Sequence, residues 1–173
     1  MEEHKMKKFI AIVSILALSL GVLVGCGETE NNQTDDSASK VGVVLVYDGI
    51  QIDVSTDEWD SHKTQVTTDD PALGKSYDFV GVTLADLMEI AGASDCTKVI
   101  VKAGDGNSTE IPVADVTSYS IMLANGYASG KSIDAGAGGP VKLVFPITDH
   151  PELSDTYDAW SWQWYVEEVE FVK

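Results

Sequence analysis

Gly81-Val82-Thr83-Leu84-Ala85-Asp86-Leu87-Met88-Glu89-Ile90-Ala91-Gly92 is the most regular stretch of this chain, and its reading decides the fold class. Leu84, Leu87, Met88 and Ala91 fall at i, i+3, i+4 and i+7, so a helix carries them on one apolar face. Thr83 is placed to cap the first turn, with Asp86 three residues on in an imperfect capping box. Gly92 is a stop signal. The spacing predicts a helix over 81–92 with one face to bury. On both sides the pattern shortens to period two.

Upstream, Val41 to Val46 is a β-branched run, Asp48-Gly49 marks a tight turn, and Ile50 to Val54 alternates, which predicts a hairpin. Ser55 to Asp60 reads as one helical turn capped by Ser55. Thr64 to Thr68 and Ser76 to Val80 read as strands around a loop carrying Pro71. Downstream, Lys98 to Ala103 and Ser108 to Ile111 read as strands around a Gly104–Asn107 turn. Pro112 to Val116 suggests a short helix. Tyr119 to Ala124, Val141 to Phe145 and a long closing segment from Trp160 to Val172 read as further strands. Many short strands with one or two helices give an α+β, sheet-dominated domain.

The chain has 173 residues, with 11 lysines, no arginine and 28 acidic residues, for a formal charge of −17. This balance argues against nucleic-acid binding, which depends on clustered cations that neutralise phosphate. It also argues against docking on anionic lipid through a basic face. Two cysteines do not make a disulfide framework.

The leader carries an address. Lys5, Lys7 and Lys8 form a basic region, and Phe9 to Leu20 is nearly unbroken apolar sequence. Leu23-Val24-Gly25-Cys26 then ends in small residues, as a secretory signal does. This ending resembles the bacterial lipobox, which implies cleavage after residue 25 and a lipid on the Cys26 sulfur. Phe9 to Val24 is shorter than the ~20 residues needed to span a bilayer. Met6 with Lys7 and Lys8 is a more regular start for such a leader than Met1 with Glu2 and Glu3. The expected organisation is a signal peptide at 1–25, a lipidated cysteine and acidic tether at 26–40, and a folded domain at 41–173. The implied location is the outer face of the bacterial cytoplasmic membrane, or the outer membrane. Gly27 to Lys40 has no large apolar residue and, fully extended, reaches roughly 50 Å.

Several segments in order resemble the sulfite-oxidase-type molybdopterin-binding domain family. They are Gly81-Val82-x-Leu84-x-x-Leu87-Met88-x-x-Ala91-Gly92, then Val99-x-Val101-x-Ala103-x-Asp105-Gly106, then Met122-Leu123-Ala124. Gly130-Lys131-x-Ile133, Gly138-Gly139-Pro140-Val141-Lys142-Leu143-Val144-x-Pro146, and Trp164 with Val169 follow. The resemblance implies the family's fold and a molybdopterin cofactor. In its catalytic members a cysteine thiolate holds molybdenum, some twenty residues before the position of Gly81. Here that region, His62 to Lys75, has no cysteine, and Thr67 or a neighbour takes the place. Catalytic members also hold the pterin phosphate and an oxyanion substrate with arginine, a rigid bidentate donor. At that position this chain has Lys142. Cys96 falls where the family uses no metal ligand and reads as a small buried residue.

The candidate ligand-binding residues follow from this. Lys142 offers a point charge to an oxyanion. Gly138 and Gly139, in the loop Ala135 to Pro140, either present backbone N–H groups to an anion or form a turn before a buried strand. Asp149, His150 and Tyr157 belong to a polar loop that corresponds to the family's cofactor-facing segment. Trp160 and Trp162, alternating with Trp164, share one face if the segment is a strand. They serve either as core or as a wall for a ring-bearing ligand. Asp57-Glu58, Asp69-Asp70 and Glu167-Glu168 read as acidic surface. A phase change after Val166 predicts a bulge at Val166 to Glu168.

No catalytic residue and no metal ligand are assigned. The expected function is a lipid-anchored binding module for a small ligand or partner protein, without a resident cofactor. Its alternatives are a molybdenum- or tungsten-pterin oxidoreductase with non-thiolate ligation, and an accessory subunit of a membrane redox or transport complex.

Overall fold

The computed structural model describes residues 40–173; the leader, Cys26 and most of the tether lie outside them. The hairpin forms from β1 (Lys40–Tyr47) and β2 (Ile50–Ser55). Its two turn residues, Asp48 at φ 51° and Gly49 at φ 75°, are both left-handed, the geometry a two-residue hairpin turn requires. α1 (Thr56–Ser61) follows, with the Ser55 hydroxyl accepting the Glu58 N–H at 3.2 Å, and it buries Trp59.

β3 (Thr64–Asp70) and β4 (Lys75–Thr83) are antiparallel across a four-residue turn. α2 (Leu84–Ile90) is shorter than the expected 81–92. Gly81 to Thr83 belong to β4, because that end pairs with β7 (Met122–Tyr127). A Cβ at Gly81 would stand 2.0 Å from the Leu123 carbonyl, so the sheet closes here only around glycine. Thr83 still caps α2, accepting the Asp86 N–H at 3.1 Å.

β5 (Lys98–Ala103) and β6 (Ser108–Pro112) form the second hairpin, and α3 (Val113–Ser118) follows Pro112. Tyr119 ends α3, so β7 begins at Met122 rather than Tyr119. β8 (Lys142–Val144) and β9 (Val166–Val172) complete the set.

Two sheets result, with strand orders β2-β1-β9-β5-β6 and β3-β4-β7-β8. Every pairing is antiparallel except β1 with β9. Leu45, Phe79, Leu84, Leu87, Val101, Ile111, Leu123 and Phe145 lie in one core without solvent exposure. Period-two burial in β5 and β6 sends alternate residues inward. On β9 the register slips between Lys102 and Ala103, leaving Glu167 as the extra residue. That is the bulge expected from the phase change.

The closing segment differs from its expected form. Trp160 is not on a strand: Ala159–Ser161 is a 3-10 turn and β9 starts only at Val166. The Asp158 carboxylate caps this turn, accepting from the N–H groups of Trp160 at 3.0 Å and Ser161 at 3.1 Å. Tyr165, at φ 55°, bends the chain again before β9. Side chain-to-backbone bonding of this kind competes directly with an extended ladder. Trp160, Trp162 and Trp164 therefore do not share a strand face.

Candidate ligand cleft and the buried ion pair beneath it

β3 sends Val66, Thr68 and Asp70 inward by alternation. Asp70 is therefore buried rather than part of an acidic surface, which corrects the reading of Asp69-Asp70 as a solvated pair. Its inward partner is Lys142 at the start of β8. Both side chains have no solvent exposure, and the ammonium is bonded to Asp70 Oδ2. Asp70 Oδ1 accepts the N–H groups of Ala72 at 3.0 Å and Leu73 at 3.1 Å, which shapes the β3–β4 turn. Lys142 Nζ also reaches the Ala137 carbonyl at 3.4 Å. It lies 4.8 Å from the ring centre of Trp164 and 5.6 Å from that of Trp162. Burial pulls the Lys142 pKa down, and the Asp70 carboxylate opposes this.

The glycine loop is consumed by its own fold. Asp134 caps a 3-10 turn at Ala135–Ala137, and Gly138 takes a left-handed φ of 97°. The Gly138 N–H donates to Ala135 O at 3.2 Å and the Gly139 N–H to Asp134 O at 2.9 Å. Both N–H groups thus have protein acceptors. Glycine at 138 has a clear reason, since a Cβ there would stand 2.6 Å from the Trp164 ring. Gly139 needs it too: a Cβ would meet the Ile133 carbonyl at 1.9 Å.

Residues 159–165 pass over this pair and are tied to both sheets. Leu143 N donates to Gln163 O at 2.9 Å and Tyr165 N to Gly138 O at 3.0 Å on one side. On the other, Gly104 N donates to Tyr165 O at 3.0 Å, and Gln163 Nε2 donates to Thr109 Oγ1 at 2.8 Å. A cleft of about 470 Å³ lies against this segment. Its lining includes Trp160, Trp162, Trp164 and Tyr165, with Asp105 and Asn107 from the β5–β6 turn and Ala72 from the β3–β4 turn. Trp160 is 88% exposed, and Trp162 is 2% exposed with no hydrogen-bond partner for its Nε1. Trp160 thus stands exposed beside a mostly aromatic hollow.

The expected site residues thus divide. Trp160 and Trp162 line the cleft, and Lys142 and Gly138 lie next to it against Trp164. Tyr157 lines an adjoining cleft that shares Trp160. Its hydroxyl donates to Asp115 Oδ2 at 2.5 Å and its ring stacks on Phe145, so it is built into the core. Burial first, and then Asp115, push its pKa up. His150 packs edge-on against Tyr119 and lies 3.4 Å from Glu152; neither His150 nor the exposed Asp149 lines the aromatic cleft. Asp70, Asp105, Asn107 and Tyr165 were not expected as site residues. Period two counted from Val66 points to Asp70, and the Asp105-Gly106 turn is visible as a motif. Nothing local in the sequence brings that turn to Tyr165.

A thiolate-held metal needs a soft donor, and β3 and its turn offer Thr67, Thr68, Asp69 and Asp70 instead. Cys96 is buried beyond α2, where burial pushes its thiol pKa up. Lys142, where the resemblance implies an anion-binding cation, is bonded to Asp70. These residues do not fit a thiolate-ligated molybdenum centre with cation-held phosphate.

Breaking a buried ion pair strands a charge, whereas replacing both partners does not. Asp70→Ala is expected to cost about 3–5 kcal/mol in urea unfolding, and Asp70→Leu with Lys142→Met to recover most of that loss. Equal losses in the single and double variants would contradict the geometry.

A profile of the oxidoreductase molybdopterin binding domain matches residues 53–148. No curated protein matches the chain. Among solved structures it is similar to the sulfane dehydrogenase SoxCD from Paracoccus pantotrophus, with a TM-score of 0.56 and 16% identity. The match covers 75% of this chain but 37% of that one, so the likeness concerns the fold of one part of a larger protein. With the profile spanning more than half its length, this chain belongs to the oxidoreductase molybdopterin binding domain family.

Proposed function

We propose that this chain is a lipid-anchored, extracytoplasmic binding module that uses a molybdopterin-binding fold without its redox chemistry. The observation that carries the reading is the Lys142–Asp70 pair. An ammonium at the family's anion-binding position is already bonded to a carboxylate of the same chain, and both are out of reach of solvent. An anionic cofactor or oxyanion would have to displace Asp70, then approach a protein of formal charge −17. The cleft beside the pair offers the opposite chemistry: three tryptophans and a tyrosine, with Asp105, Asn107 and Gln163 as its polar lining. Clefts of this size and character take small molecules. Ligand capture on the aromatic wall is the activity this arrangement supports best.

Phosphate tests the closed state of Lys142 directly. At low millimolar concentration, where its general salting effect is small, phosphate is expected to leave the melting temperature of the wild-type chain as it is in chloride of matched ionic strength. A saturable rise that disappears in Lys142→Ala would overturn the proposal.

The location rests on Leu23-Val24-Gly25-Cys26. Among the described residues no helix is long and apolar enough to cross a membrane, and the proposed attachment is a lipid on Cys26. In a bacterial host, metabolic labelling with palmitate should mark the wild type and fail to mark Cys26→Ser, which should leave the membrane fraction. Labelling that survives the substitution would place the lipid elsewhere or remove it from the account.

A further inference from the structure

We propose that the aromatic cleft takes a small organic cation, an alkylated ammonium or a group of similar size and charge. This rests on the reading of the cleft as the ligand site and adds the charge of the ligand.

Aromatic lining supplies the first argument. Trp160, Trp162, Trp164 and Tyr165 line the cleft, and an aromatic face carries negative potential that attracts a cation within ~6 Å of its centre. The chain already uses two of these indoles in this way, since Lys142 Nζ stands 4.8 Å from the Trp164 ring and 5.6 Å from that of Trp162.

Charge on the rim supplies the second. Both oxygens of Asp105 accept from Asn107, at 3.0 Å from its backbone N–H and 2.8 Å from its side-chain amide. Amide donors orient a carboxylate without neutralising it. Among the described residues, Lys40, Lys63, Lys98, Lys102, Lys142 and Lys173 pair with carboxylates other than Asp105.

Charge balance supplies the third. No lysine lines the cleft, and the chain has no arginine. An anion would find no cation here and would meet Asp105. A neutral ligand gains the aromatic contact and nothing from the carboxylate. A cation gains both.

Choline, 3,3-dimethyl-1-butanol and 3,3-dimethylbutanoate have nearly the same shape and carry positive, zero and negative charge. Each is titrated into the full chain while tryptophan fluorescence is read, because Trp160, Trp162 and Trp164 line the cleft and Trp59 is buried in the core. Choline is expected to bind at least about fivefold more tightly than the alcohol, and the carboxylate more weakly than either. Trp160→Ala and Asp105→Asn should each weaken choline at least about threefold, with unchanged far-ultraviolet circular dichroism. Both positions are exposed, so the substitutions spare the core.

Equal affinity for choline and the alcohol would overturn the charge assignment and leave the cleft as the ligand site. Choline binding unaffected by either substitution would place the cation elsewhere and overturn the proposal. No response to any of the three, up to the solubility limit of the alcohol, would overturn both the cation and the cleft.

Discussion

An ammonium and a carboxylate without solvent exposure face each other between β3 and β8, and the upper end of the domain is organised around them. Removing either charge from water is costly, and only a close partner with further hydrogen bonds offsets that cost. Asp70 meets the requirement with two backbone donors in the β3–β4 turn besides Lys142. Lys142 meets it with the Ala137 carbonyl and the faces of two indoles. One interaction therefore joins a turn, the glycine loop and the tryptophan segment, which are far apart in sequence.

The proposed function follows from that arrangement. Trp162 and Trp164, whose rings lie against Lys142, also line the cleft, so the segment that covers the pair is the segment that forms the aromatic wall. The fold places a concavity where three connecting segments meet, as loops on a rigid scaffold commonly do. On the proposed reading, what differs from a cofactor-binding member is the chemistry of that place. Among the described residues β3 and its turn carry no soft donor, the chain has no arginine, and an internal salt bridge with aromatic cover lies there. Family membership is thus a statement about architecture, and the ligand has to be argued from the side chains.

Much of the architecture was legible in the sequence because it rests on local signals. Asp48-Gly49 specifies a hairpin, Ser55 and Thr83 specify helix starts, and alternation specifies β5 and β6. The slip at Glu167 was visible as a change of phase. The misreadings have physical causes. Gly81 looked like a helix opening, but a close approach to Leu123 holds it in a strand. Trp160, Trp162 and Trp164 alternate, yet Asp158 caps a 3-10 turn and Tyr165 turns the chain left-handed, both of which override the period-two pattern. Asp70 beside Asp69 looked like a surface acid. Its burial depends on a lysine seventy-two residues away, a pairing that no local pattern encodes. The cleft was half legible: its tryptophans stood out, while Asp105, Asn107 and Tyr165 join them only through β5–β9 pairing and the bonds of Gly104.

The central claim is that the fold is kept while the cofactor chemistry is not. Its most direct measurement is the molybdenum, tungsten and pterin content of the full chain, purified from the membranes of cells that make the cofactor. Inductively coupled plasma mass spectrometry counts the metals, and fluorescence of an oxidised extract detects the pterin. The predicted result is far less than one metal or one pterin per chain. Near one of each would contradict the claim and make this protein an oxidoreductase whose metal is held without thiolate.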